Sequence, residues 1–167
     1  MVLTKPELLG ALQHEVRILL HLAGKFNHDS LAYRPTPKQR SSLELLQYLT
    51  MMGPVLAEAI AAGTFDADAW TAAEAVAESL DFEKALTAIA GQTTLYAKLL
   101  DGFTDQAWRV PVDMFGTTAS RGAHMVNLVL CGYAAYRTQL FLYLKSCGLE
   151  ELGTYNLWAG MDAPEAT

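Results

Sequence analysis

Residues Ser120–Gly148 read SRGAHMVNLVLCGYAAYRTQLFLYLKSCG, and this stretch decides the fold class. Ser120 is a residue type that caps helices. Met125, Leu128, Val129, Gly132, Tyr136, Leu140, Tyr143 and Leu144 then recur at the three- and four-residue steps of one buried helical face. Gly148 supplies the stop. The spacing predicts one long core helix with Gly132 and Tyr136 on its inner side.

The same period occurs three more times upstream. Thr4 and Glu7 have capping-box spacing ahead of Leu9, Leu12, Val16, Leu19, Leu20 and Ala23, which predicts a helix from Lys5 to Phe26. Ser41 to Glu44 repeats the device ahead of Leu45, Leu49, Met52, Leu56 and Ile60, with the helix ending near Ala62. Gly53-Pro54 lies inside it, so a bend that widens a gap between helices is expected. Thr71 to Glu74 opens a short alanine-rich helix, and Phe82, Leu86, Ile89, Tyr96, Leu99 and Leu100 mark a longer one over Asp81–Asp101. Residues 102–119, punctuated by Pro111 and Gly116, read as a long ordered connection with an extended piece and no strand ladder. The expected architecture is all-α: one domain over residues 1–167, a four-helix bundle with long connections and a short extra helix.

Composition narrows the function. A net charge of −6 argues against a phosphate-backbone partner, so nucleic acid is not expected. Arg34, Lys38 and Arg40 sit in a proline-broken segment and read as solvated charges. Two cysteines, Cys131 and Cys147, lie sixteen residues apart on one helix, roughly 24 Å along its axis, too far for a disulfide. Cys131 reads as a small buried hydrophobe and Cys147 as a near-terminal thiol, as in a reducing compartment. The sequence reads as having no leader pattern and no apolar run near the ~18 residues of a bilayer span, so a cytoplasmic, membrane-free protein is expected. Trp158 is too apolar to hang free, so the tail should fold back on the bundle, with 162–167 loose.

YRPTPKQRSSLELLQYL (33–49) followed by YRTQLFLYLKSCG (136–148) resembles the DinB-like superfamily, which includes YfiT-type metal-dependent hydrolases and thiol transferases. The resemblance implies a four-helix bundle, a homodimer, and a divalent metal held by three histidines, two of them as HxxxH on the last helix. Here the matching positions are Tyr48, Gly132 and Tyr136. Residues four apart stack on one helical face, which is why HxxxH can grip one ion. Glycine offers no ligand, and a phenol keeps its proton near pH 7. The expectation is therefore no metal and no cofactor, with Tyr48, Tyr136 and His124 as candidate contacts for a small-molecule ligand. Two alternatives stand beside it. One is a metal-dependent hydrolase or thiol transferase with a rearranged ligand set around His124 and Glu15 or Glu44. The other is a dimeric interaction protein without catalysis. The resemblance also implies that Arg137 and Gln139 tie the last helix to neighbouring helices or to a second subunit. His14, His21 and His28 read as surface or partly packed side chains, and no hydrolase or nucleotide-binding motif is present.

Overall fold

The computed structural model describes residues 3–164. Four helices form the bundle: α1 (Lys5–Ala23), α2 (Ser42–Ala62), α4 (Phe82–Asp101), and a last helix made of α6 (Arg121–His124), a π-helical stretch (Met125–Leu130) and α7 (Cys131–Ser146). Each of α1 and α2 packs against both α4 and the last helix, so the order around the bundle is α1, α4, α2, α7. The short α3 (Ala67–Glu78) lies on α2, and α5 (Asp105–Arg109) leads into a hairpin of β1 (Pro111–Met114) and β2 (Thr117–Ser120).

The capping signals act as read. Thr4 with Glu7, and Ser41 with Glu44, form complete capping boxes, and Ser120 accepts from the Ala123 amide. Helix α1 stops three residues earlier than its period suggested, at Gly24. Helix α3 starts four residues before Thr71, because Asp66 accepts from the amides of Asp68 and Ala69 and so caps it first. Among the described residues there is a strand ladder after all. β1 and β2 pair antiparallel from Pro111↔Ser120 to Met114↔Thr117, around a turn in which Phe115 (φ 56°) and Gly116 (φ 78°) are both left-handed.

The last helix also differs in phase. An α-helix carrying Met125 and Val129 inward brings Gly132 and Tyr136 round with them. The π turn absorbs an extra residue, and in the two turns that follow it the buried positions are displaced by one. The buried positions from Met125 onward are Met125, Val129, Tyr133, Arg137, Leu140, Tyr143 and Leu144; Met125, Val129, Leu140, Tyr143 and Leu144 are those expected, and Tyr133 and Arg137 take the places expected of Gly132 and Tyr136. Cys131 consequently faces outward and is exposed, not buried.

Tyr133 and Arg137, brought inward, organise the polar interior. The Tyr133 hydroxyl donates to Gln92 Oε1 (2.5 Å) and receives the Tyr96 hydroxyl, all three residues being buried. Gln92 Nε2 in turn donates to the carbonyls of Leu49 (2.9 Å) and Thr50 (3.1 Å) on α2. A Cβ on Gly53 would collide with both tyrosine hydroxyls, so this glycine is the space the network occupies. The gap expected beside Gly53-Pro54 is thus filled. Arg137 meets Glu15 of α1 at 3.1 Å, a buried ion pair that ties the last helix to the first, and Gln139 donates to Tyr143, whose hydroxyl donates to the Arg40 carbonyl.

Helix α2 is long and apolar enough to cross a membrane, contrary to the expectation that no run approached that length; 67% of its apolar window is buried inside the bundle, where that apolarity serves the core. The tail folds back as expected: residues Tyr155–Ala159 form a single π turn against α1, and Gly160 (φ 61°) passes so close to Ile18 that a Cβ would lie 3.0 Å from its Cα. Of the segment read as loose, 165–167 lie outside the described residues.

Candidate functional site

Helices α2 and α7 bring Tyr48 and Tyr136 together. Their ring centroids are 5.2 Å apart with planes at 70°, an edge-on contact of the kind aromatic quadrupoles favour. Burial, and after it the neighbouring Tyr136, pushes the Tyr48 phenol well above its ordinary range, so it is a neutral hydroxyl at any physiological pH. One turn before Tyr136, a Cβ on Gly132 would stand 3.2 Å from Cε and 3.3 Å from Sδ of Met52. The thioether of Met52 therefore packs onto the glycine, and two rings and a methionine fill the place where the resemblance puts three imidazoles.

That arrangement does not fit a metal centre. Two phenol side chains and a sealed glycine offer no carboxylate, thiolate or imidazole donor. Among the described residues no group of three or more His, Cys, Asp and Glu is placed to share an ion. His124 is not brought to the tyrosine pair: it is buried at the base of the hairpin and donates from Nε2 to the Val112 carbonyl (3.1 Å). Its two suggested acidic partners are engaged elsewhere, Glu15 with Arg137 and Glu44 with Arg34 (2.7 Å) and the Ser41 amide (2.8 Å). The fold thus leaves the rearranged ligand set around His124 unassembled.

An open cleft of about 730 Å³ lies beside the tyrosine pair. The α1–α2 connection, the first two turns of α2 and one face of α3 enclose it, and Tyr48 forms part of its wall. Tyr136 does not line it; it supports Tyr48 from behind. The Arg40 guanidinium lies 3.9 Å from the Tyr48 ring centroid and 3.8 Å from Glu74 of α3. Arg34 is held by Glu44 and by the Gln39 carbonyl (2.9 Å). The proline-broken basic segment therefore supplies two partnered arginines to the cleft, Arg34 held by Glu44 and Arg40 stacked on Tyr48. Hydrogen bonds from Ser41 and from Arg34 hold the Glu44 carboxyl below its usual range.

Sequence reading missed Arg40 and Glu74 as a pair because they stand on separate elements, the α1–α2 connection and α3, 34 residues apart. Only the YRPTPKQR segment carried a trace of this site. The cleft combines an aromatic face, two guanidinium groups and carboxylates in one concavity, groups suited to recognising a polar ligand.

No family model matches the sequence, and no curated protein matches it. Among solved structures, the fold is similar to that of a DinB-like protein, YjoA, from Bacillus subtilis, with a TM-score of 0.66 and 19% identity over 89% of this chain and 96% of that one. This likeness shows that the chain has the DinB-like fold, an all-α bundle.

Proposed function

We propose that this chain of DinB-like fold binds a small ligand in the cleft over Tyr48 and does so without a metal. The observation that carries the reading is the pair of environments on the Tyr48 ring: Tyr136 backs it, and Arg40, paired with Glu74, stacks on it in a solvent-open cleft. Met52 and the two rings close the metal position and leave the cleft as the accessible concavity beside it. A ligand with a flat apolar part and a charged or polar end matches that wall.

The test is a thermal-shift screen of metabolites against the intact chain, followed by Arg40→Ala and Tyr48→Leu. A ligand that binds here raises the melting temperature of the parent protein in a saturable way, by an amount set by its concentration over Kd, and loses that effect in both variants. A stabilising ligand indifferent to both substitutions overturns the cleft assignment. About one tightly held metal per chain after dialysis against zinc, nickel and manganese overturns the metal-free reading.

A second reading concerns self-association. Trp158 and Met161 on the returning tail are 60% and 52% exposed, large apolar groups on one short segment, and they favour a homodimer built on that face. Sedimentation of the parent and of Trp158→Ser tests it: a dimer that becomes monomeric supports this face, and a dimer that persists places the contact elsewhere.

A further inference from the structure

The Tyr48 cleft holds two arginine–carboxylate pairs in different states. Arg34 Nη2 meets Glu44 Oε1 at 2.7 Å, Arg34 Nη1 donates to the Gln39 carbonyl (2.9 Å), and Glu44 Oε2 accepts from the Ser41 amide (2.8 Å). That pair is closed, because both partners spend hydrogen bonds on each other and on the backbone at the start of α2.

Arg40 and Glu74 form an open pair. Their nearest charged atoms are 3.8 Å apart, beyond hydrogen-bond reach, and the two side chains are 42% and 39% exposed. Among the described residues, neither the Arg40 guanidinium nor the Glu74 carboxylate has a hydrogen-bond partner. Tyr48, 3.9 Å from the guanidinium carbon, takes one face of that group, whereas its N–H donors lie in the plane and stay unspent. The two ends stand on opposite walls, Arg40 on the α1–α2 connection and Glu74 on α3. An exposed pair so separated contributes little by itself, so a ligand parts it at little cost.

The charge of the ligand follows from this pair. An anion satisfies Arg40 and sets a second negative charge beside Glu74; a cation satisfies Glu74 and sets a second positive charge beside Arg40. A zwitterion answers both ends and leaves the charge of the cleft unchanged. An α-ammonium carboxylate carries its two charges on adjoining carbons, about as close together as Arg40 and Glu74 are. Leu31, Leu43 and Ala77 line the same concavity and offer apolar surface to the rest of the molecule. We infer that the ligand of this cleft is a small zwitterion of the α-amino acid type with an apolar side chain, its carboxylate received by the Arg40 fork and its ammonium by Glu74. The inference rests on the reading of the cleft as a binding site and narrows it to one ligand class.

The test uses L-phenylalanine, 3-phenylpropanoate and 2-phenylethylamine, which share a phenylethyl group; the second lacks the ammonium and the third the carboxylate. Each is titrated into the intact 15N-labelled protein. The Trp70 indole signal, assigned by its loss in Trp70→Phe, reports the cleft from a ring 6.2 Å from that of Tyr48. L-phenylalanine is expected to shift it and to bind roughly 10-fold more tightly than either singly charged probe, the scale of one hydrogen bond to a charged group. In Glu74→Gln the preference over 3-phenylpropanoate vanishes, and in Arg40→Gln the preference over 2-phenylethylamine vanishes. Both substitutions fall on half-exposed side chains, so the variants fold. Equal affinity for the three probes, tighter binding of a singly charged one, binding that leaves the Trp70 signal in place, or a preference that survives both substitutions overturns the zwitterion and leaves the cleft reading standing. Absence of binding by all three overturns it as well. The metabolite screen then separates the two readings: a hit lost in Tyr48→Leu keeps the cleft, and a screen without such a hit ends both.

Discussion

The Gln92 side-chain amide donates to the Thr50 carbonyl at 3.1 Å, and Thr50 is the acceptor that Pro54, lacking an N–H, leaves without its helical donor. One side chain from α4 thus repairs the break in α2. Gln92→Leu therefore orphans a buried carbonyl and the Tyr133 hydroxyl together, at a cost of about 2–3 kcal/mol in urea unfolding. In the Pro54→Ala background the helix supplies its own donor, so the cost of Gln92→Leu should fall by about 1 kcal/mol. A double-mutant cycle with strictly additive energies contradicts this coupling.

Gly53 argues against its own helix propensity. Alanine is the better helix former by about 1 kcal/mol, so an exposed Gly→Ala change would stabilise α2. Here the new methyl lands on the hydroxyls of Tyr133 and Tyr96, and Gly53→Ala is expected to destabilise by about 2 kcal/mol or more. Adding Tyr133→Phe and Tyr96→Phe removes both oxygens and should return part of the loss. Thermal unfolding of the single and triple variants reads the difference, at roughly 2–4 °C per kcal/mol for a chain of this size.

Much of the fold was legible because capping residues and apolar periods are local. Thr4, Ser41 and Ser120 each act within three residues of themselves, and their helices begin where they stand. The phase of the last helix was not legible: the three- and four-residue steps from Met125 onward are equally consistent with an α or a π path until Gln92 and Glu15, from other helices, select Tyr133 and Arg137 as their partners. Thr71 to Glu74 matched a capping box better than Asp66 did, yet Asp66 stands where the chain leaves α2 and captures the amides first. The hairpin was hidden because four-residue strands are too short for alternation to register, although Phe-Gly between Val112 and Thr118 was a turn signal. For the candidate site, Tyr48 and Tyr136 were singled out and the two rings do meet, although only Tyr48 lines the cleft. His124 was not separable from them by sequence, since its partner is a carbonyl on β1.

The Glu15–Arg137 pair should behave as a unit. Each residue leaves one buried atom, Glu15 Oε2 and Arg137 Nε, without a hydrogen bond among the described residues, and burial pushes the Glu15 carboxyl up against the opposing pull of Arg137. Removing one partner strands a buried charge: Glu15→Leu or Arg137→Met alone should cost about 3 kcal/mol or more, and the double variant less than either. Urea unfolding of the three variants checks this, and a double variant worse than both singles contradicts it.

The returning tail should loosen in mild acid. Asn156 donates its amide to His21 Nε2 at 3.1 Å, which requires that nitrogen to be unprotonated, and Asn156 also donates to Asp162 (2.8 Å), which Lys25 clasps at 2.6 Å. Burial first, then the neighbouring Lys25, holds the His21 imidazole below its ordinary 6.5, with Asp162, 3.7 Å away, pulling the other way. Detaching the tail relieves the burial, the largest cause, while Lys25 stays beside His21, so the detached state binds the proton more readily. Attachment is therefore fully favoured above about pH 6.5 and weakens as pH falls through the window below it. Trp158, stacked at 4.7 Å on the Arg137 guanidinium, reports the tail position. Its indole signal is expected to move toward that of an unstructured tryptophan between about pH 7 and about pH 5 in the parent, and to stay in place in His21→Gln, whose amide oxygen accepts from Asn156 at either pH. A transition that survives in His21→Gln assigns the pH response to another group.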